Sequence, residues 1–253
     1  MVVSIAQAQL FFLALTRVLA IIIHVPVLAG QGVPNPVKIG LGVLLTMVII
    51  PWEPLPPEAA SLDTLAFGFA IARELLLGTL AGFAAALTFA CLQVAGELMS
   101  TGSGFASARV LNPAMDFSGS PLDQFFLLFT TLIFLVINGH HTFLLGLQRT
   151  FELFPLNSPL PDFSLEVFAR MTAQLITAGV QMALPVMGAL LLTDLVLGLL
   201  SRVAPQVQVF FLGAPLKAGL GIFFLLVTLG VLLPAVSGLF ERLGERMLLI
   251  LGL

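Results

Sequence analysis

The chain has 253 residues, of which 59% are hydrophobic and only 9% charged, and its formal net charge is −3. A soluble domain carries about 25% charged residues, so this sequence cannot coat a water-facing surface, and a soluble enzyme is excluded. No run of Lys or Arg is present, which leaves no support for a nucleic-acid surface or a polybasic lipid patch.

Five stretches free of Asp, Glu, Lys and Arg (Val18 to Val37, Leu75 to Gly96, Gln124 to Gln148, Met171 to Thr193 and Ala218 to Phe240) each hold at least 20 residues. That is the ~20 residues needed to cross a hydrocarbon core as helix. The runs are continuous and rich in Leu, Ala and Phe, whereas barrel strands alternate polar and apolar residues over ~10 positions. The fold class expected is an all-α membrane protein of about six helical regions, with long kinked helices and helical hairpins.

In chain order, a first helix is expected from about Gln7 to Leu28. No basic segment precedes it and Arg17 interrupts it, so it is read as a retained helix rather than a cleaved signal. GQGVPNP (Gly30 to Pro36) turns the chain, and a shorter helix follows from about Val37 to Ile50. The proline-rich loop after it carries Glu53, Glu58 and Asp63.

A third helix, Leu65 to about Ser100, would extend ~54 Å, beyond one bilayer thickness, so it must tilt, break or project from the membrane. Gly78, Gly82, Ala86 and Ala90 recur every fourth residue, a small-residue stripe that admits a second helix closely. Arg73 and Glu74 are neighbours here, and each is expected to pair with a group on another helix. Cys91 has no second cysteine to bond, so disulfide frameworks and cysteine metal clusters are excluded.

The segment Thr101 to Pro121 mixes Gly, Ser and Pro with Phe105, Val110, Leu111, Met115 and Phe117. A purely solvated loop has little use for those apolar side chains, so the segment is expected to lie against something. A fourth helix is expected over Leu122 to Thr150, with Asn138, Gly139, His140 and His141 near its middle. Adjacent histidines on a helix point about 100° apart and do not jointly chelate a metal.

The last two helices, about Val167 to Arg202 and Val207 to Glu245, are joined by a short turn at Val203 to Gln206, which makes them antiparallel neighbours. Asp194 lies eleven residues before Pro205 and Lys217 twelve after it. Both therefore stand ~17 Å up their helices, and a buried ion pair between them is expected, because an ionised group in an apolar helix needs a partner or a wet cavity. The sequence contains no GxSxG, HExxH or P-loop motif and calls for no cofactor or metal.

Read in order, these marks resemble the FliR family of flagellar export-gate membrane proteins, which has a counterpart in virulence type III secretion. The resemblance runs through TRVLAIIIHVPVLAGQGVPNPVKIGLG (Thr16 to Gly42), then Glu74, Gly78 and Gly82, then Gly96, Gly104, Asn112 and Pro113. It continues in NGHH (Asn138 to His141), ALP (Ala183 to Pro185), and GLLSRVAPQ with GAPLK between Gly198 and Lys217. Asn112 departs from the pattern, which has Asp there.

The resemblance implies one copy of this chain in a helical assembly with FliP-like and FliQ-like subunits, an FlhB-like subunit, and unfolded export substrates as cargo. It implies a FliP-like front (1–165), a FliQ-like hairpin (166–253), and a place in the inner membrane at the flagellar basal body, projecting partly to the periplasmic side. It also implies an internal pore plug at Gly104 to Pro121, comprising Gly104, Phe105, Arg109, Val110, Leu111, Asn112, Pro113, Met115 and Phe117. The rival reading is a secondary transporter for a small solute, its midplane site marked by helix breaks at Pro185 and Pro215.

Overall fold

A computed structural model of the chain describes residues 5–30, 33–50, 62–105, 121–161, 164–206 and 208–252. Among these the secondary structure is helix throughout: α1 (Ile5–Ile22), α2 (Pro26–Ala29), α3 (Asn35–Ile49), α4 (Thr64–Gly102), α5 (Pro121–Val136), α6 (Gly139–Leu153), α7 (Leu165–Val203), α8 (Val209–Glu241) and α9 (Leu243–Leu249). Four of them are long and apolar enough to cross a membrane, or up to five spans if α5 and α6 count as one broken crossing. The protein is an all-α membrane protein.

Among the described residues nine helices stand where about six regions were expected, and two of the extra boundaries have a local cause. The first helix stops at Ile22, and Pro26 opens the single turn α2 with a missing N–H where no partner is needed. The expected fourth helix is broken at Asn138, which takes a left-handed conformation with φ 57°. Asparagine is one of the few residues with a side chain that visits this region readily. The last helix ends at Glu241, and a separate α9 follows.

α4 runs 39 residues without interruption, about 58 Å at 1.5 Å per residue, so the alternative of a break within it does not occur. α7 and α8 continue through Pro185, Pro215 and Pro234. The helix breaks that the transporter reading places at Pro185 and Pro215 are therefore not present.

The chain divides into two compact units. The first comprises Met1–Thr88, Asn138–Arg170 and Glu241–Leu253. In it α1 and α4 run parallel. The Gln9 amide donates to the Leu62 carbonyl and accepts from the Leu62 N–H, both at 2.9 Å, while further along Gly78 and Gly82 meet the backbone of Arg17 and Ile21. Leu13, Val18, Ile21, Phe143, Leu147, Leu243 and Met247 form its fully buried core. α6 crosses α9 where Gly146 faces Gly244, and Arg246 donates to Thr88 Oγ1 at 3.2 Å.

The second unit comprises Phe89–Ile137 and Met171–Phe240. Three phenylalanines from three helices, Phe89 (α4), Phe134 (α5) and Phe240 (α8), meet with ring centroids 5.0 to 5.3 Å apart. Small residues set the other close approaches: a Cβ added to Gly179 would fall on the Cys91 carbonyl oxygen, and one added to Gly96 would lie 2.9 Å from Phe126.

Candidate functional site

Among the described residues two ion pairs join different helices, one in each unit. In the first unit, Arg17 is almost fully buried, at 1% exposure. Its Nε donates to Glu74 Oε2 at 2.6 Å. Nη1 donates to the carbonyls of Thr150 at 2.9 Å and Phe154 at 2.7 Å, and the guanidinium lies over the Phe151 ring, 4.5 Å from its centroid.

Thr150 and Phe154 are at the carboxyl end of α6, where the helix dipole favours a cation. The Thr150 carbonyl also accepts the Phe154 N–H at 3.1 Å, so Arg17 is a second donor to it. The second oxygen of Glu74 accepts the Asn157 N–H at 3.3 Å, and Arg73 Nη2 donates to Asn157 Oδ1 at 2.6 Å. Asn157 is again left-handed, with φ 63°.

Glu74 thus pairs with Arg17 on another helix, as expected, whereas Arg73 meets Asn157 in the turn after α6 rather than a group on a helix, and Asn157 contacts both residues. Sequence reasoning does not reach the pairing of Arg17 with Glu74, nor the part played by Asn157. The available signal is that α1 carries a lone cation and α4 a carboxylate, each beside a long apolar run.

The small-residue stripe on α4 begins beside this cluster. A Cβ at Gly78 would lie 2.7 Å from both the Ala20 Cβ and the Arg17 carbonyl, and one at Gly82 would lie 3.0 Å from Ile21 and from the His24 Cβ. Ala86 and Ala90, the rest of the stripe, are half-buried. His24, just beyond α1, has Nδ1 2.7 Å from the Ala20 carbonyl in the last turn of that helix. His140 and His141 meet edge to face with centroids 4.6 Å apart, and the described residues hold no metal-binding group of His, Cys, Asp or Glu.

In the second unit, Lys217 Nζ on α8 donates to both carboxylate oxygens of Asp194 on α7, at 2.8 and 2.9 Å. The expected pair forms but is not buried within the chain: the Asp194 side chain is 51% exposed and that of Lys217 21%, because α7 and α8 bury few of their own residues against the rest of the chain. The pair's exposed neighbours along the two helices, Leu191, Leu195 and Leu216, are apolar.

The segment from Thr101 leaves α4 through Ser103 and Gly104. The Ser103 hydroxyl donates to the Met99 carbonyl at 2.7 Å, and the residue is fully buried against Gly221 of α8. Gly104 then takes φ 81°, a backbone conformation that a residue with a Cβ rarely adopts, and so ends the helix. Phe105 follows, half-buried. Arg109, Val110, Leu111, Asn112, Pro113, Met115 and Phe117 lie outside the described residues.

Comparison with known proteins gives the arrangement a context. The chain is 32% identical to the flagellar biosynthetic protein FliR of Pectobacterium carotovorum subsp. carotovorum, with 92% of this chain and 87% of that protein covered. It is 30% identical to the flagellar biosynthetic protein FliR of Escherichia coli K12, covering 93% and 90%. Against the Yop proteins translocation protein T of Yersinia pestis the identity is 28%, over 86% and 84%. The family model for bacterial export proteins, family 1, matches residues 8–243. With nearly its whole length matched, helices, buried ion cluster and open pair included, the chain belongs to the bacterial export proteins, family 1.

Proposed function

We propose that this chain is a structural and channel-forming subunit of a flagellar type III protein export gate, through which unfolded flagellar proteins pass. The observation that carries the reading is the family match over residues 8–243 together with relatives named as flagellar biosynthetic proteins. The physical character of the helices agrees with a life among other subunits. In the most apolar windows of α7 and α8 only 17% and 22% of residues are buried within the chain itself, and those helices expose an ion pair.

In this reading one copy of the chain assembles with several FliP-like and FliQ-like subunits, and with an FlhB-like subunit, in the inner membrane at the basal body, projecting partly to the periplasmic side. Residues 1–165 play the FliP-like part and 166–253 the FliQ-like part. The segment Gly104 to Pro121 plugs the conduit: glycine and serine let it fold into a narrow lumen, while Phe105, Val110, Leu111, Met115 and Phe117 exclude water and ions as a hydrophobic constriction does. The subunit makes and breaks no bonds of its own.

The test is purification of the tagged chain from membranes that also hold its FliP-like and FliQ-like partners. A stable complex with one copy of this chain and several of each partner is expected. A monodisperse monomer that binds a solute and brings no partner down with it would overturn the reading in favour of a transporter.

A further inference from the structure

The Asp194–Lys217 pair is stoichiometrically complete but sterically open. The ammonium contacts both carboxylate oxygens from one side, and a carboxylate has about four acceptor positions. Half of the Asp194 side chain is left outside that contact, on a helix whose neighbouring Leu191 and Leu195 are themselves exposed. An acceptor facing hydrocarbon goes unpaired, which is costly. One turn further along, a Cβ added to Gly198 would meet nothing within 4 Å, so the surface beside Asp194 is low and open enough for another helix to approach closely.

Charge decides what that helix carries. One ammonium and one carboxylate sum to zero, and a third full charge in an apolar span would be uncompensated. An uncharged donor fits. We propose that the exposed flank of Asp194 accepts a hydrogen bond from a serine, threonine, asparagine or glutamine on an apolar helix of a neighbouring subunit, which crosses α7 at Gly198. The proposal rests on the export-gate reading and names the chemistry by which one partner is held.

Two paired substitutions test it in the full complex, purified through a tag on the chain and normalised to the amount of chain in the membrane. Asp194→Leu with Lys217→Leu removes the pair and the acceptor together. Replacing a salt bridge by well-packed apolar residues is often neutral for the fold that contained it, but here the neighbour's donor is left unpaired. Partner recovery should fall on the order of tenfold. Asp194→Asn with Lys217→Leu also removes both charges but keeps an acceptor oxygen, and should recover partners within about twofold of the unmodified chain.

The proposal is overturned if the double leucine variant assembles like the unmodified chain, because no acceptor is then needed. It is equally overturned if the asparagine–leucine variant loses partners as severely as the double leucine variant, because charge rather than the acceptor would then matter. An unmodified chain that recovers no partner removes the export-gate reading itself, a result distinct from either variant's failure.

Discussion

Arg17 and Glu74 form an ion pair of 2.6 Å with side chains 1% and 2% exposed, between two helices that run parallel. The arginine also holds the carboxyl end of α6 through two carbonyls. Three separate stretches of chain therefore meet on one guanidinium. Removing one member of a buried pair strands the other charge, at about 3–5 kcal/mol. Glu74→Leu and Arg17→Met should each sharply lower the thermal unfolding temperature of the purified complex. The double variant should lose less than the sum of the two, since it leaves no lone charge. Strict additivity in that cycle would show that the two residues do not act together.

How far this cluster is legible in the sequence differs from pair to pair. Asp194 and Lys217 lie on a single hairpin, so counting residues from Pro205 suffices to set them at the same height, and the atoms lie 2.8 Å apart. Arg17 and Glu74 are 57 residues apart, with α2 and α3 between them. Their meeting depends on how α1 lies along α4, which periodicity within either helix does not encode. The spans α4, α7 and α8 are legible because the apolar runs Leu75 to Gly96, Met171 to Thr193 and Ala218 to Phe240 lie within them, whereas the run from Val18 is cut at Ile22. The break at Asn138 is not legible in that way, because it falls inside the charge-free run from Gln124 to Gln148; the Asn-Gly dipeptide, a common turn signal, is the mark that carries it. Proline misleads in the opposite sense: Pro185 and Pro215 lie within continuous helices.

The approach of α1 to α4 depends on glycine at two positions and not at others. A Cβ at Gly78 would lie 2.7 Å from the Arg17 carbonyl, whereas Gly68, on the same helix, has open space around it. Gly78→Ala should destabilise the complex by about 1–3 kcal/mol through overpacking against backbone. Gly68→Ala should be neutral or stabilising by up to about 1 kcal/mol, because alanine is the better helix former. Thermal unfolding of both variants under one condition checks the contrast, and equal stability would refute the close approach.

Asn138 and Asn157 carry positive φ for different ends. Asn138 separates α5 from α6, so its backbone geometry is what matters there. Asn138→Gly should be tolerated, while Asn138→Val should cost about 1–2 kcal/mol for a branched residue in that region. Asn157 also accepts from Arg73 through its side chain, so Asn157→Gly keeps the backbone and loses the bond. A protease-resistance assay on the membrane-embedded complex should rank Asn157→Gly below Asn138→Gly. The reverse order would show that the Arg73 contact contributes nothing.

The plug proposal makes a prediction that assembly assays do not reach. Ser103 is fully buried and held against Gly221, and Gly104 turns the chain out of α4, so the start of the segment is anchored on helices α4 and α8. Deleting Val110 to Phe117 removes four of the five apolar side chains proposed to seal the conduit, all but Phe105, while leaving that anchor intact. A hydrophobic constriction blocks ions by excluding water, so its loss should raise ion conductance of the reconstituted complex without changing its subunit composition. Replacing the same eight residues with a glycine–serine stretch of equal length separates sealing from mere occupancy, because it keeps the bulk of the backbone but not its apolarity. Leakage from both variants supports the hydrophobic seal, leakage from the deletion alone points to steric filling, and unchanged conductance in both removes the plug.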